Sequence, residues 1–412
     1  MTQSIGPRSW MQPAAPVIAA LEAAGGRALF VGGCVRNTLL GAPVGDVDIA
    51  TTLTPDAVTA ALAAAKIRAI PTGIEHGTVT AVLDGQPFEV TTLRRDVETD
   101  GRRAVVAFTT DWGEDAARRD FTMNAIYADA EGRLTDPTGT GIADAQAGRL
   151  VFVGDPATRI AEDSLRILRF FRFLAWYGKG EPDAAALAAC EAGRGLMANL
   201  AAERVAKELL KLLEAYDPRP AVRLMAKTGV LGQILPAPAD LSAFDQLVEI
   251  ETEQLFECDP LLRLATLLPA DQVGVAKAAD ALRLSNEQKD RLVAARGADV
   301  RITSWMSPRE SRRAVYRVGA GTFADRIKLA WVGSTRSAVT HQWRGLLVLS
   351  QSWAPPPFPL TGADVLKSGV PKGPMVGQVL REVEDWWIDH DFIDDKFSAI
   401  EKLKAVAQGM AY

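Results

Sequence analysis

The sequence predicts a mixed α/β domain over residues 1–150 followed by an all-helical remainder. Two observations carry that division. Short apolar or alternating runs closed by Gly or Asp-Gly fill the first 150 residues. From about Pro156 onward, Ala, Leu, Glu, Lys and Arg dominate, and apolar residues recur at three and four, the helical period. Composition agrees with a folded chain of several domains: 412 residues, 48% apolar and 24% charged, which excludes disordered, collagen-like and coiled-coil classes.

In chain order, Ala28 to Val31 is an apolar strand ended by Gly32-Gly33, and Asp46 to Ala50 alternates charged and apolar residues as a strand does. Pro55-Asp56 opens a helix over Asp56 to Lys66 with its start signal at Thr54. Thr78 to Leu83 pairs with Phe88 to Thr92 across Asp84-Gly85. The helical half breaks at Tyr216-Asp217-Pro218, Pro236-Ala237-Pro238 and the Pro-rich run Ala354 to Pro359, and Met375 to Trp387 keeps helical spacing beyond it. No internal repeat is visible.

Cys34, Cys190 and Cys258 are far apart, show no Cys-x-x-Cys spacing and are odd in number, which argues against a disulfide framework or zinc site and for a reducing cytoplasm. No apolar run approaches about 18 residues, so no membrane span is expected. His76, His341 and His390 are too dispersed for histidine-based hydrolysis, and His76 reads as a structural loop residue. The net charge of −5 argues against a nucleic-acid partner if taken as a total. Its distribution matters more: arginines gather at Arg118-Arg119, Arg166 to Arg172 and Arg301 to Arg317, the last a candidate phosphate-contacting face or a solvated helix surface.

Gly45-Asp46-Val47-Asp48-Ile49 sets two carboxylates at i and i+2 on a strand, on one face and about 5–7 Å apart. Such a pair is ordinarily a solvated strand face. When buried it repels itself unless a cation sits between, and oxygen-only ligands favour Mg²⁺. The context points to the cation. Phe30-Val31-Gly32-Gly33-Cys34-Val35-Arg36 runs from strand through paired glycines into a helix, a layout in which backbone N–H groups and Arg36 can face a phosphate. Phosphates and metals would then share one pocket. Glu89 has two readings: a third carboxylate that binds metal or helps deprotonate an attacking hydroxyl, or an ordinary polar-face residue.

Arg159 to Trp176 reads as one helix with a charged residue at every third position from Asp163, amid Leu165, Ile167, Leu168, Phe170, Phe171 and Phe173. On that helix Asp163 neighbours Arg166. The two pair with each other or hold a ligand between or beside them. If the ligand is a nucleobase, a carboxylate that only accepts and a guanidinium that only donates select an edge with an amino group beside an unprotonated ring nitrogen. Cytosine and adenine have that edge; uracil and guanine present the reverse.

Five motifs in order carry a resemblance: Val31 to Arg36, Gly45 to Thr51, Arg118-Arg119-Asp120-Phe121-Thr122-Met123-Asn124-Ala125, Glu162-Asp163 to Arg172, and Glu203-Arg204-Val205-Ala206-Lys207-Glu208-Leu209. Together they resemble the class II tRNA nucleotidyltransferase and bacterial poly(A) polymerase family, and most resemble its CCA-adding members, over roughly residues 28 to 213. The resemblance implies a polymerase-β-like nucleotidyltransferase head (1–150), then a helical neck that reads the base (151–215), a helical body (216–353) and a helical tail (354–412). It implies Mg²⁺ at Asp46 and Asp48; Glu89 stands beside them as a catalytic candidate from the strand alternation alone. Gly32, Gly33 and Arg36 would hold the triphosphate, Asp163 with Arg166 the base, and Arg119, Arg169 and Arg172 would match other nucleotide-contacting positions.

The implied partners are the tRNA 3′ end, CTP and ATP, with neither DNA nor membrane, for a cytoplasmic monomer or homodimer. A poly(A) polymerase with the same head and a non-catalytic RNA-binding protein are the competing readings. Arg94 to Asp115, with Asp100-Gly101-Arg102-Arg103, corresponds to a flexible loop that resembles the family's C-to-A switching element; a plain surface loop is the alternative. One departure is evident: the family usually has Arg-Asp after the glycines, and this chain has Arg36-Asn37.

Overall fold

A seven-stranded mixed sheet frames the first part of the chain in the computed structural model, which describes residues 3–99, 104–236, 241–334 and 339–409. In order come α1 (Ala15–Ala23), β1 (Ala28–Val31), α2 (Gly33–Leu40), β2 (Asp48–Thr51), α3 (Pro55–Ala64), β3 (Arg68–Gly73), β4 (Thr78–Leu83) and β5 (Gln86–Thr92). Then follow β6 (Arg94–Thr99), β7 (Ala104–Phe108), α4 (Trp112–Ala117), β8 (Tyr127–Ala128), β9 (Leu134–Thr135) and α5 (Gly141–Ala147). The sheet order is β3-β4-β5-β2-β1-β8-β9, with β6 and β7 a separate hairpin. Only β2 and β5 are parallel, and α3 belongs to the connection between them.

Local chemistry accounts for these elements. Thr54 caps α3 by accepting the Ala57 N–H, with Pro55 at the first helical position. Asp84 and Gly85 both have positive φ, 50° and 79°, the hairpin turn that joins β4 to β5. The core between sheet and helices is aliphatic, with Leu29, Val31, Ala50 and Leu93 buried beside Tyr127.

Four helices follow: α6 (Pro156–Glu162), α7 (Leu165–Tyr177), α8 (Ala184–Gly193) and α9 (Ala202–Leu213). The aromatic face of α7 is joined to the sheet domain by ring contacts: Phe121 lies 4.9 Å from Phe152 and 5.1 Å from Phe173, and Phe152 stacks on Phe170 at 6.0 Å. The helix expected over Arg159 to Trp176 is in fact two. Asp163 is extended (φ −149°, ψ 103°) and its carboxylate accepts the Leu165 N–H, so α6 ends and α7 begins around it.

With α10 (Arg219–Lys227) and α11 (Leu231–Ile234), these elements form the unit Met1–Ala237; a second unit is Pro238–Tyr412. Its described elements are helical: α12 (Leu241–Glu253), α13 (Pro260–Leu267), α14 (Gln272–Ala281), α15 (Asn286–Ala295), α16 (Pro308–Val318), α17 (Ala320–Val332), α18 (Thr340–Ser352), α19 (Gly362–Lys367), α20 (Pro374–Asp389) and α21 (Lys396–Gly409). One core gathers Val315, Phe323, Trp331 and Trp343, and a separate one gathers Leu360, Val379, Val383 and Leu403. No helix among the described residues is long and apolar enough to cross a membrane.

Two expectations are corrected here. Arg94 to Asp115 is not one long loop: β6 and β7 pair from Arg94↔Phe108 to Thr99↔Ala104, and α4 follows, capped by Asp111. Asp100 to Arg103 lie outside the described residues. The arginines of Arg301 to Arg317 do not form a free basic face either. Arg312 pairs with Asp391, Arg313 with Asp389 at 2.6 Å and Arg317 with Asp385 at 2.8 Å, while the Tyr316 hydroxyl donates to Glu384 at 2.5 Å. Acids on and just after α20 neutralise three of the five, and Glu310 is occupied in a capping box with Ser307. Arg301 and Arg313 also line a cavity of about 560 Å³ with Trp305.

Candidate active site

The carboxylate site forms where three strands reach one edge of the sheet. Val31 is paired with Asp48, and Asp48 with Glu89, so the glycines after β1, the start of β2 and the middle of β5 lie side by side. Gly32 has φ 73° and ψ −125°, a conformation that only glycine adopts without strain. A Cβ there would sit 3.8 Å from an Asp48 carboxylate oxygen and 3.9 Å from Arg119 Nη1. Gly32, Asp48 and Arg119 therefore share one small space, and Glu89 projects from the same strand row, exposed between buried Phe88 and Val90.

Asp46 departs from the expected strand. β2 begins at Asp48, and Asp46 lies in the bend before it, exposed. The reason is that β1 turns into α2 at Gly32, so residues 46 and 47 have no partner on that side. The bend is tethered instead by Asn37, whose amide donates to the Pro43 carbonyl at 2.7 Å. Even so, Asp46 acts on Asp48. Burial, then Glu89, then Asp46 push the Asp48 carboxyl up to about 6, against a lowering pull from Arg119 and Arg36.

This is the pattern of an oxygen-ligand site that a cation relieves. Among the described residues no group of three or more His, Cys, Asp and Glu side chains is gathered closely enough to hold an ion. Asp46 and Asp48 alone would leave most positions around such a cation to other oxygen ligands.

Arg119 is fixed from behind. Its Nε and Nη2 donate to Asp115 at 3.2 and 3.0 Å, its Nε also to the Tyr127 hydroxyl, and its Nη1 to the Asn124 carbonyl. Asp115 is almost wholly buried. Burial alone would raise its pKa, but Arg119, Arg118 and the Tyr127 hydroxyl outweigh that and hold it below the usual range.

Arg36 is deeper than the sequence suggests, at 7% exposure. Its Nε and Nη2 donate to Asn37 Oδ1 at 3.1 and 2.8 Å, its Nη1 to Asn124 Oδ1 at 2.5 Å, and its Nη2 to the Tyr177 hydroxyl at 2.8 Å. The guanidinium also lies 4.2 Å from the Tyr177 ring centroid. Asn124 and Tyr177 are functional candidates that the sequence did not single out, although Asn124 sits inside the Arg118 to Ala125 motif.

At the junction of α6 and α7, Asp163 and Arg166 do not pair with each other through their side chains. The Asp163 carboxylate takes Arg204 Nη2 at 2.9 Å, and Arg166 donates to Glu162 at 2.5 Å and to the Arg159 carbonyl at 2.7 Å. The break between α6 and α7 turns Asp163 toward α9. Arg169 donates to Asp120 through Nε and Nη2 at 2.8 and 2.5 Å, and Arg172 pairs with Glu208 at 2.7 Å. Burial would raise Asp120, but Arg169, Asn124 and the Phe121 N–H hold it at about 2. Head and neck residues thus meet in one network. His76 contributes its carbonyl, which accepts from Arg94, and leaves its ring largely exposed.

Comparison with known proteins agrees with this geometry. Residues 28–151 match the family model of the poly A polymerase head domain, and residues 181–241 that of the probable RNA and SrmB-binding site of polymerase A. The mouse mitochondrial CCA tRNA nucleotidyltransferase 1 is 35% identical over 386 residues, covering 91% of this chain and 86% of that protein. The CCA-adding enzyme of Latilactobacillus sakei is 31% identical over 90% of this chain and 92% of its own. The crystal structure of the Bacillus stearothermophilus CCA-adding enzyme in complex with CTP superimposes with a TM-score of 0.71 at 26% identity, covering 93% and 94% of the two chains. With such identity along nearly the whole length of both chains, this protein belongs to the CCA-adding tRNA nucleotidyltransferase family.

Proposed function

We infer that this chain adds CMP, CMP and AMP to the 3′ end of tRNA from CTP and ATP, releasing pyrophosphate. The observation that carries the reading is the like-charged edge of the sheet, where Asp48 stands in register with Glu89, beside Asp46, at a glycine turn that leaves room for phosphates. We assign the metal as Mg²⁺, held by Asp46 and Asp48. When bound, it lowers the pKa of the attacking hydroxyl and offsets charge on the phosphates.

The protein's own residues do the rest by placement. The acceptor 3′-oxygen bonds to the α-phosphorus as the bond to the β-phosphate bridging oxygen breaks, and the pair of electrons leaves with pyrophosphate. Glu89 Oε is available to take the hydroxyl proton. Gly32 and Gly33 admit the triphosphate close to the first turn of α2, and Arg36 and Arg119 supply positive charge on either side of Asp48. Asp163 and Arg166 present an acceptor and donors to the base, held apart by Arg204 and Glu162 so that neither satisfies the other. Arg169 and Arg172 lie along the same helix. An edge with an amino group beside a ring nitrogen suits them, which is that of cytosine and adenine.

We also propose the division into head 1–150, neck 151–215, body 216–353 and tail 354–412; the separate apolar core of α19, α20 and α21 supports a distinct tail. Three free cysteines suit the cytoplasm. The test is incorporation of labelled CTP and ATP into tRNA trimmed of its 3′ end, with Mg²⁺ and with chelator. Addition of three nucleotides or fewer supports the reading. A long A tract would make the chain a poly(A) polymerase, and no incorporation would leave RNA binding alone.

A further inference from the structure

Arg36 is a buried cation without a described carboxylate at ion-pair distance. Four of its five N–H groups are taken, two by Asn37, one by Asn124 and one by Tyr177, and every acceptor is a neutral oxygen. The remaining stabilisation comes from two aromatic faces, Tyr177 at 4.2 Å and Phe173 at 5.0 Å. Dipoles and rings fix a guanidinium without cancelling its charge. A carboxylate in the same place would cancel much of it. The charge therefore remains available to groups across the pocket. A Cβ on Gly33 would lie 3.8 Å from Arg36 Nη2, so the guanidinium also backs the glycine turn.

The cage is built from two places on α7. Near its middle, Arg169 grips Asp120; Asp120 accepts from the Asn124 amide at 2.9 Å; Asn124 accepts from Arg36; and Arg36 donates to Tyr177 at the last turn of α7. Cutting the Tyr177 link removes the direct hydrogen bond from Arg36 to α7 and leaves the Phe173 ring and the indirect route through Asn124 and Asp120.

We propose that Tyr177 is a positioning residue for the nucleotide triphosphate, holding Arg36 in a charge-preserving cage in which neutral Asn37 takes the place of an acid. This rests on the reading above that Arg36 faces the phosphates. Because phosphates are common to both substrates, Tyr177→Leu should raise KM for CTP and ATP alike by about 10-fold, and Tyr177→Phe, which keeps the ring, by about 3-fold, with kcat changed less. In an Asn37→Asp background the added carboxylate holds Arg36 by itself, so either Tyr177 substitution should then change KM by less than about 2-fold.

The experiment measures KM and kcat for both nucleotides on trimmed tRNA for the single and double variants, with thermal melts of each. Should Tyr177→Leu not fold, Tyr177→Phe answers the question with the ring in place. Unchanged KM in the Tyr177 variants, a shift confined to one nucleotide, or equal effects in the wild-type and Asn37→Asp backgrounds would each overturn the proposal. Arg36→Ala is the control for the underlying reading. If it keeps the wild-type KM, the phosphates do not lie at Arg36 and the proposal falls with that assignment rather than with Tyr177.

Discussion

Two neighbouring regions of the first unit treat their carboxylates in opposite ways. At the sheet edge, Asp46, Asp48 and Glu89 have no described cation at ion-pair distance, and burial with Glu89 and Asp46 raises the cost of ionising Asp48. Around α6, α7 and α9, Asp120, Glu162, Asp163 and Glu208 are each held by arginine, and Asp120 is driven down to about 2. The contrast separates chemistry from architecture. Carboxylates left facing each other repel, a cost that a bound cation would relieve, whereas carboxylates held by arginines set the positions of donors and acceptors.

The largest effects should come from the unpaired side. Asp48→Ala, or Asp46→Ala, is expected to reduce CMP and AMP incorporation by ~10³-fold or more while leaving tRNA binding nearly intact, since neither residue holds the fold through an ion pair. Near-normal incorporation by either variant would refute the metal assignment. Asp48→Asn should also leave the melting temperature of the metal-free protein unchanged or higher, because repulsion with Glu89 and Asp46 is relieved. A clear drop would mean that Asp48 has a structural partner after all.

Next in size is base selection. Asp163→Ala should reduce discrimination of C and A against U and G on the order of 10- to 100-fold, the effect of one unmatched buried hydrogen-bonding group. Incorporation of each of the four nucleotides in parallel reads this directly. Arg204→Ala should reduce discrimination less, roughly 3- to 10-fold, because it frees the Asp163 carboxylate without deleting it. Unchanged selectivity in Asp163→Ala would move base reading elsewhere.

Much of this was legible in the residues, and the limits have physical causes. Thr54, Asp84-Gly85 and the glycines at 32 and 33 act through local backbone chemistry, which sequence expresses directly. The pairing of Glu89 with Asp48 was open from alternation alone and needed the parallel register to settle it. Asp46 and Asp163 were misplaced because periodicity assumes that an element continues. In one case the partner strand had already turned away at Gly32, and in the other a carboxylate captured the Leu165 N–H and split the helix. Tyr177, Asn124 and Arg204 act through contacts between residues 41 to 141 positions apart, which no local pattern encodes. The arginines of α16 looked free only because their acids lie some 70 residues further along.

The paired side predicts stability effects instead. Asp120→Asn leaves Arg169 only its longer pair with Glu208 at 3.7 Å and should cost roughly 3–5 kcal/mol in urea unfolding. Since folding depresses the Asp120 pKa to about 2 from an ordinary value of about 3.9, its contribution is present in full above the ordinary value and lost as pH falls toward 2. The gap between wild type and Asp120→Asn should therefore narrow from pH 5 downward. A constant gap would mean that Asp120 acts through packing rather than charge.

The smallest effect tests whether pairing alone confers stability. Arg317 and Asp385 lie 2.8 Å apart, within hydrogen-bonding distance as Arg169 and Asp120 are at 2.5 Å, yet their side chains are 42% and 58% exposed. Water already solvates both charges, and holding two long side chains in register costs entropy. Arg317→Ala should therefore change the stability of the protein by about 0.2–1 kcal/mol, diminishing with added salt. Urea midpoints at low and high salt decide it. A loss as large as that of Asp120→Asn, or one that salt does not reduce, would show that the contacts between α16 and α20 act as a buried network, and the distinction between the two kinds of pair would then depend on geometry rather than on access to water.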